Sequence, residues 1–400
     1  MPSPVVALEI GTSKTVALVG EMRDDGHIMI TGMGETPSYG MRKGEVTDLD
    51  QASECVRSVI SKAEQSGKFE IGSVHLAVSG GHIESMVNRG SASVLDRGSG
   101  ISEADVEQVN EIARVVSLPP EHEVLHSIPR HYYIDSQSKV TRPHGMEGSQ
   151  LAVEMLILHG VRARLNNTAR AVGRVPLDVA DMAFSGLCSA LAVLSPEQKL
   201  SGVIVIDLGG GVTDYLAYAE GVVAAAGAIG VGGDHVTNDI AMAFSIPTLD
   251  AEKLKRESGS AILRPATAAQ RVSVPGALSA SPQSVSLKAL HTVINARMEE
   301  ILVLVRKRLE REGVLPHCGA GVVLTGGGAL LRGATDLCER VFGLPVVIGR
   351  PRHVSGLNAA TTGPEYSTCC GLVQYAFRSM LERGPSDGFF VRIWKWLRGE

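Results

Sequence analysis

The sequence predicts an α/β protein made of two duplicated lobes, with an α+β module inserted into the first. Three observations predict it. Strand-like and helix-like segments alternate along most of the chain, one acid-and-glycine motif recurs about two hundred residues after its first appearance, and the texture between about 82 and 160 differs from its surroundings. At 400 residues the chain is long enough for two or more domains with substantial cores.

From Val5, "VVALEI", "GTSK" and "TVALVGEM" read as strand, glycine turn and strand, and "HIMITGMGE" adds another strand. Apolar spacing predicts a helix over roughly Leu49 to Gly67, and "GSVHLAVSG" a buried strand. In the inserted module, "SEADVEQVNEIARVV" has an N-cap serine with Asp three residues on, flanked by "VLHSIPRHYYID" and "QLAVEMLILHG". A second start follows in "SGVIVIDLGGGVTDYLAYAEGVVAAAGAIGVGG": strand, glycine turn, strand and a further strand. A small-residue loop at about 273 to 285 precedes a long helix from Leu287 to Glu312. "AGVVLTGGGALLRGATDLCERVF" then reads as strand, glycine turn and helix, and "STCCGLVQYAFRSMLERG" as the last helix of the body. The resulting division is 1–81 with 161–195 for the first lobe and 82–160 for the insertion. The second lobe takes 196–230 with 313–380 for its core and 231–312 for a smaller subdomain. A short linker, 381–387, leads to a final segment, 388–400.

Composition excludes several classes. A formal charge of −5, with no basic run in the body, argues against nucleic-acid binding, which needs a cationic face. The six cysteines form no CxxC pair, so a reduced protein without a zinc site is expected. His122 and His126 are four apart without the HExxH pattern and read as ordinary core or surface residues. The start "MPSPVVALEIGTSK" lacks the pattern of a secretory signal, and no span is fit to cross a bilayer as a helix.

The recurring motif carries the chemistry. "LEIGTSKT" lies over "IDLGGGVT" so that Glu9 matches Asp207, Gly11 matches Gly209 and Thr15 matches Thr213. Glycine and small residues let backbone N–H groups approach an anion, so two such turns facing one cleft are suited to gripping a triphosphate. Gly11, Thr12, Ser13 and Lys14 form one turn, and Gly209, Gly210, Gly211 and Thr213 the other. Lys14 is a mobile cation for the phosphates, and the hydroxyls of Thr12, Ser13 and Thr213 add donors. Glu9 and Asp207 are placed to hold Mg2+, mostly through water. A third turn, Gly326, Gly327 and Gly328, is expected to open a helix and to meet an adenosine by backbone contact. "GGDHVTNDIA" puts Gly233 before a further helix. No residue is nominated as general base, and any turnover is expected to be slow.

The end of the chain, "GFFVRIWKWLRGE", holds both tryptophans and four of the aromatic residues within twelve positions. At 100° per residue, Phe389, Phe390, Ile393, Trp394, Trp396 and Leu397 share one arc, and Arg392, Lys395 and Arg398 the opposite one. A helix of this kind either docks on the body or lies in a lipid headgroup layer with its cations toward anionic phosphates. Half-burying four rings of about 150–250 Å² yields on the order of 10 kcal/mol at roughly 25 cal/mol per Å². Ordering a dozen residues costs about as much, so one tail is a marginal anchor and many tails together a firm one.

The strings "ALEIGTSK", "VIDLGGGVTD", "AIGVGGDHVTNDIA" and "VLTGGGA" resemble, in order and spacing, the actin/Hsp70/hexokinase ATPase superfamily. More narrowly, "PSYGMRKGEVTDL", "VHLAVSGGHI", "EHEVLHSIPRHYYID", "FSGLCSALAVL" and "STCCGLVQYA" resemble the bacterial FtsA cell-division family over nearly the whole chain. The resemblance implies an actin-like fold, ribonuclease-H-like in each half, with a distinctive subdomain at about 82 to 160. It implies ATP binding, with Gly11 to Lys14 and Asp207 to Thr213 bracketing the phosphates and Glu252 and Lys255 near ribose and base. It further implies self-polymerisation, capture of the C-terminal peptide of FtsZ, recruitment of later division proteins, and attachment to the cytoplasmic face of the cell membrane at the septum through the final helix. The segment before that helix is shorter than the family's usual linker. Two other readings use the same nucleotide core: a small-molecule kinase, which has no use for an aromatic tail, and a pilus-assembly-type adaptor, which shares the inserted module.

Overall fold

A computed structural model describes residues 3–382 apart from 25, 96–97, 99, 137, 266–268, 275–282 and 358–361. The expectations for the linker from 383 and for the final amphipathic segment, Phe389 to Arg398, lie outside the described residues.

The chain opens as an antiparallel meander of β1 (Val5–Ile10), β2 (Lys14–Met22) and β3 (Ile28–Pro37), followed by a small hairpin, β4 (Met41–Arg42) and β5 (Glu45–Val46). Helix α1 (Leu49–Gly67) starts where Asp48 accepts the N–H groups of Asp50 and Gln51, and stops where Lys68 turns left-handed at φ 53°. Strand β6 (Ser73–Val78) then pairs parallel to β1.

The inserted module comprises β7 (Glu84–Ser93), α2 (Glu103–Arg114), β8 (His122–Ile134), β9 (Ser138–Val140) and β10 (Gln150–Val161), in sheet order β7-β10-β8-β9. Ser102 and Asp105 close a capping box on α2. Alternation along β10 sends Leu151, Val153, Met155 and Ile157 into a separate core with Val106, Val109 and Ala113 of α2. Leu156 and Leu158, on the other face, join the central core of the molecule.

The chain returns through α3 (Arg162–Gly173), β11 (Asp178–Phe184), α4 (Ser185–Val193) and α5 (Pro196–Ser201) to a second meander, β12 (Val203–Leu208), β13 (Thr213–Ala219) and β14 (Val222–Ile229). Helices α6 (Gly233–Phe244) and α7 (Thr248–Ser258), the hairpin β15 (Arg271–Val274) and β16 (Gln283–Ser286), and the long α8 (Leu287–Arg311) follow. Strand β17 (Val322–Thr325), α9 (Ala334–Phe342), β18 (Val346–Ile348), β19 (Val354–Gly356) and α10 (Ser367–Glu382) complete the body.

Both lobes share one plan. Each has three antiparallel strands, with two parallel strands added beyond the first: β11-β6-β1-β2-β3, edged by β19, and β14-β13-β12-β17-β18. Even the hairpin register repeats, Glu9 facing Val16 in one and Asp207 facing Asp214 in the other.

Side-chain alternation explains the layering. In β1, Val6, Leu8 and Ile10 pack toward α1 and α3, whereas Val5 and Ala7 face a central layer. In β12, Ile204, Ile206 and Leu208 pack toward α8 and α9, whereas Val203 and Val205 face that same layer. Helices α4 and α10 fill it from between the two sheets. Gly371 lets them touch, because a Cβ there would stand 1.7 Å from the Cys188 carbonyl oxygen. By parity, Glu9 and Asp207 point into the layer that both lobes share.

Candidate functional site

Each clamp is a tight turn closing a hairpin. The Gly11 N–H donates to the Lys14 carbonyl at 3.1 Å, and the Gly209 N–H to the Val212 carbonyl at 3.0 Å. A Cβ would lie 2.7 Å from Lys14 O at Gly11 and 2.8 Å from Val212 O at Gly209, so both positions require glycine through close approach.

The two turns meet across the seam between the lobes. A Cβ on Gly211 would stand 2.6 Å from Thr12 Oγ1, and one on Gly210 3.1 Å from the Ser13 Cβ. The tip of the β4–β5 hairpin closes the third side: the Gly44 N–H donates to Thr12 Oγ1 at 3.0 Å, and the Lys43 Cα would be 2.9 Å from a Cβ on Gly211. Lys43 was not among the residues expected here; its signal is the lysine–glycine pair of "RKGE", which puts a cation on a turn.

Helix α6 stiffens the second clamp. The Gly233 N–H donates to Gly209 O at 3.0 Å and the Asp234 N–H to Gly210 O at 2.7 Å. Lys255 donates to Gly233 O at 3.0 Å and to Thr237 Oγ1 at 2.8 Å, and its ammonium lies 2.6 Å from Glu252. Gly233, Glu252 and Lys255 thus form one network against the clamp. Burial pushes the Glu252 carboxyl up, but the charge of Lys255 and the hydrogen bonds from Lys255, Thr237 and Arg256 bring it below its ordinary range.

Two expectations are corrected. The Thr213 hydroxyl is fully buried and donates to Val231 O at 2.8 Å, because strand alternation turns it inward; its proton is committed within the protein. The third glycine turn opens a 3-10 turn, Gly327–Leu330, and the α-helix begins only at Ala334, because Leu331 is extended and Gly333 is left-handed at φ 72°. Gly326 also bears on the acids. It adopts φ 80°, and a Cβ on it would fall 2.2 Å from Asp207 Oδ1. Gly328 packs on Leu208, while Gly327 is exposed and a Cβ on it would meet only the Glu365 Cβ, at 4.0 Å.

Beneath the turns three carboxyls converge. Asp207 accepts hydrogen bonds from the hydroxyls of Ser189 on α4 and Thr368 on α10, the latter at 3.1 Å. Glu9 accepts from the Cys369 thiol at 3.4 Å, and Asp214 from the Ser79 hydroxyl. Burial, then the charge of Asp207, push the Glu9 carboxyl up to about 7 against the pull of Lys14. Burial raises Asp207 against its two hydrogen bonds. Asp214 is held well above its ordinary value by burial and by Asp207 and Glu9. Asp214 stands opposite Asp207 in the hairpin register, a pairing that follows from the tightness of the turn.

Among the described residues no group of three or more His, Cys, Asp and Glu side chains is arranged to hold a metal ion. Two buried carboxyls, Glu9 and Asp207, are the kind of donor set that suits a hydrated cation held through water. A repulsive set of buried acids beside two glycine turns is suited to accepting a cation together with an anion.

Comparisons with known proteins identify the family and the fold. Two family models match, "Cell division protein FtsA" over residues 204–371 and "SHS2 domain inserted in FTSA" over 80–159. The cell division protein FtsA of Pseudomonas aeruginosa is 36% identical over 389 residues, covering 97% of this chain and 92% of its own. This chain belongs to the FtsA family. FtsA of Escherichia coli strain K12 is 38% identical over 415 aligned positions, 99% of this chain and 98% of its own. Among solved structures, a PilM-PilN type IV pilus biogenesis complex aligns with a TM-score of 0.65 at 17% identity, covering 93% of this chain and 98% of that chain. MreB5 of Spiroplasma citri bound to ADP aligns with a TM-score of 0.55 at 16% identity, covering 95% and 99%. These likenesses show that this FtsA-family chain has the actin-like fold. Membership decides against the kinase and pilus-adaptor readings. Among the described residues no helix is long and apolar enough to cross a membrane.

Proposed function

We propose that this FtsA-family protein binds ATP with Mg2+ at the seam between its lobes, associates with itself, and ties the FtsZ ring to the cytoplasmic face of the cell membrane at the septum. The observation that carries the nucleotide reading is the contact between two matching turns, Gly11–Lys14 and Asp207–Thr213, above the Glu9–Asp207 pair. In this reading the turn amides and Lys14 hold phosphate oxygens, and Glu9 and Asp207 orient the waters of the ion. Gly326 keeps backbone close to Asp207, and the Gly233–Glu252–Lys255 network faces ribose and base. Bound Mg2+ supplies positive charge that relieves the repulsion among Glu9, Asp207 and Asp214. No residue is assigned as a general base.

FtsZ is engaged through its C-terminal peptide; the region of about 240 to 312 is the surface proposed for it. Later division proteins are recruited by the polymer. Membrane attachment is assigned to Phe389, Phe390, Ile393, Trp394, Trp396 and Leu397 in the acyl boundary, with Arg392, Lys395 and Arg398 toward anionic lipid. Because a single tail is marginal, self-association makes attachment durable.

Flotation on vesicles containing anionic lipid tests this, comparing the full chain with one stopped at Gly384, each with and without ATP. The full chain is expected to float, more so with ATP, and the shortened chain to stay at the bottom. Equal flotation of both ends the membrane assignment.

A further inference from the structure

Lys14 is flanked by two acids. In the first sheet Glu9 on β1, Val16 on β2 and Glu35 on β3 stand in one cross-strand row, and Lys14 lies two positions before Val16, so its side chain shares their face. The structure settles which acid holds the ammonium. Lys14 Nζ is 3.1 Å from Glu35 Oε2 and 3.5 Å from the centroid of the Tyr366 ring. The Tyr366 hydroxyl donates to the same Glu35 oxygen at 2.8 Å. Both charged side chains are partly shielded, at 25% and 38% exposure, which lifts the pair above an ordinary surface contact.

An ammonium has three N–H donors. Glu35 takes one, and the ring face takes the charge, which leaves donor capacity for another acceptor. Glu9 is the competitor, since the Lys14 charge already acts on it. If Lys14 swung across β2 onto Glu9, it would neutralise a carboxylate suited to the cation and remove its own charge from the phosphates.

We propose that Glu35 and Tyr366 are positioning residues that draw Lys14 toward β3, keeping Glu9 for the hydrated cation and Lys14 for a phosphate oxygen. The inference rests on the nucleotide reading of the same site and adds the residues that separate its positive and negative arms.

The test measures ATP affinity of the full chain across a range of Mg2+ concentrations. Glu35→Gln is expected to weaken ATP binding roughly three- to fivefold, the scale of one partly shielded ion pair, and to raise the Mg2+ concentration at half-saturation. Tyr366→Phe keeps the ring and removes one hydrogen bond, so it should move both quantities the same way, roughly two- to threefold. Glu35→Asp should recover part of the loss. A merely structural role would lower affinity without moving the Mg2+ midpoint, and that result overturns the proposal. So does unchanged or tighter binding in Glu35→Gln while Lys14→Ala still loses ATP; the nucleotide reading would then survive alone. Failure of the unaltered chain to bind ATP at any Mg2+ concentration removes the reading and the proposal with it. Should Glu35→Gln not fold, Tyr366→Phe decides by the same two quantities.

Discussion

Glu9 stands at the end of β1 with its carboxyl pushed up to about 7 by burial and by the charge of Asp207, against an ordinary value of 4.5. The folded state therefore binds a proton more tightly than the unfolded chain does. The stability this contributes is fully present below about pH 4.5 and is lost as pH rises through about 7. Glu9→Gln keeps the shape without the charge. In urea unfolding the variant is expected to match the unaltered protein near pH 4.5 and to exceed it at pH 8 by about 1 to 3 kcal/mol. Mg2+ with ATP should reduce that gap. Parallel pH profiles for the two proteins would show that Glu9 carries no such strain. The residue type and the turn were legible in the sequence, because an acid before a glycine turn appears twice. Its partners were not: Cys369, Tyr366 and Glu35 come from distant segments, and only tertiary packing brings them to Lys14 and Glu9.

Elements were legible where local chemistry and packing agree. Helix α1 runs from Leu49 to Gly67 as expected, since an N-cap aspartate, apolar spacing and a left-handed stop all point the same way. The end of α8 falls at Arg311, one residue before the expected Glu312. Three glycines before an apolar run predict an α-helix start at Gly326, where the chain makes a 3-10 turn first; nothing local reveals that Gly326 must approach Asp207. Of the pair α4 and α10 only the second was expected as a helix, and its packing on α4 is one of the contacts that join the lobes. Gly371→Ala would put a methyl group 1.7 Å from the Cys188 carbonyl oxygen, so the helices must separate. A loss of about 1 to 3 kcal/mol in unfolding free energy is expected. Weaker ATP binding should accompany it, because Ser189 and Thr368, the donors to Asp207, ride on these two helices. An unchanged unfolding midpoint would show that the close contact does not govern the seam.

At the scale of the whole molecule, two sheets of the same topology enclose one helical layer, and the acids of both lobes point into it. Duplication was legible because the hairpin motif repeats with its register intact. The inserted module was legible as a change of texture, and its separate core explains why: β10 serves α2 with one face and the molecule with the other. The account's central claim is that both clamps hold one Mg2+-nucleotide. Amide hydrogen exchange of the full chain, followed in peptides spanning residues 9–16 and 207–214 while Mg2+ and ATP are raised together, tests it most directly. The account predicts slowed exchange in both peptides with the same half-saturation. Protection of only one peptide, or two unrelated saturation curves, would contradict it.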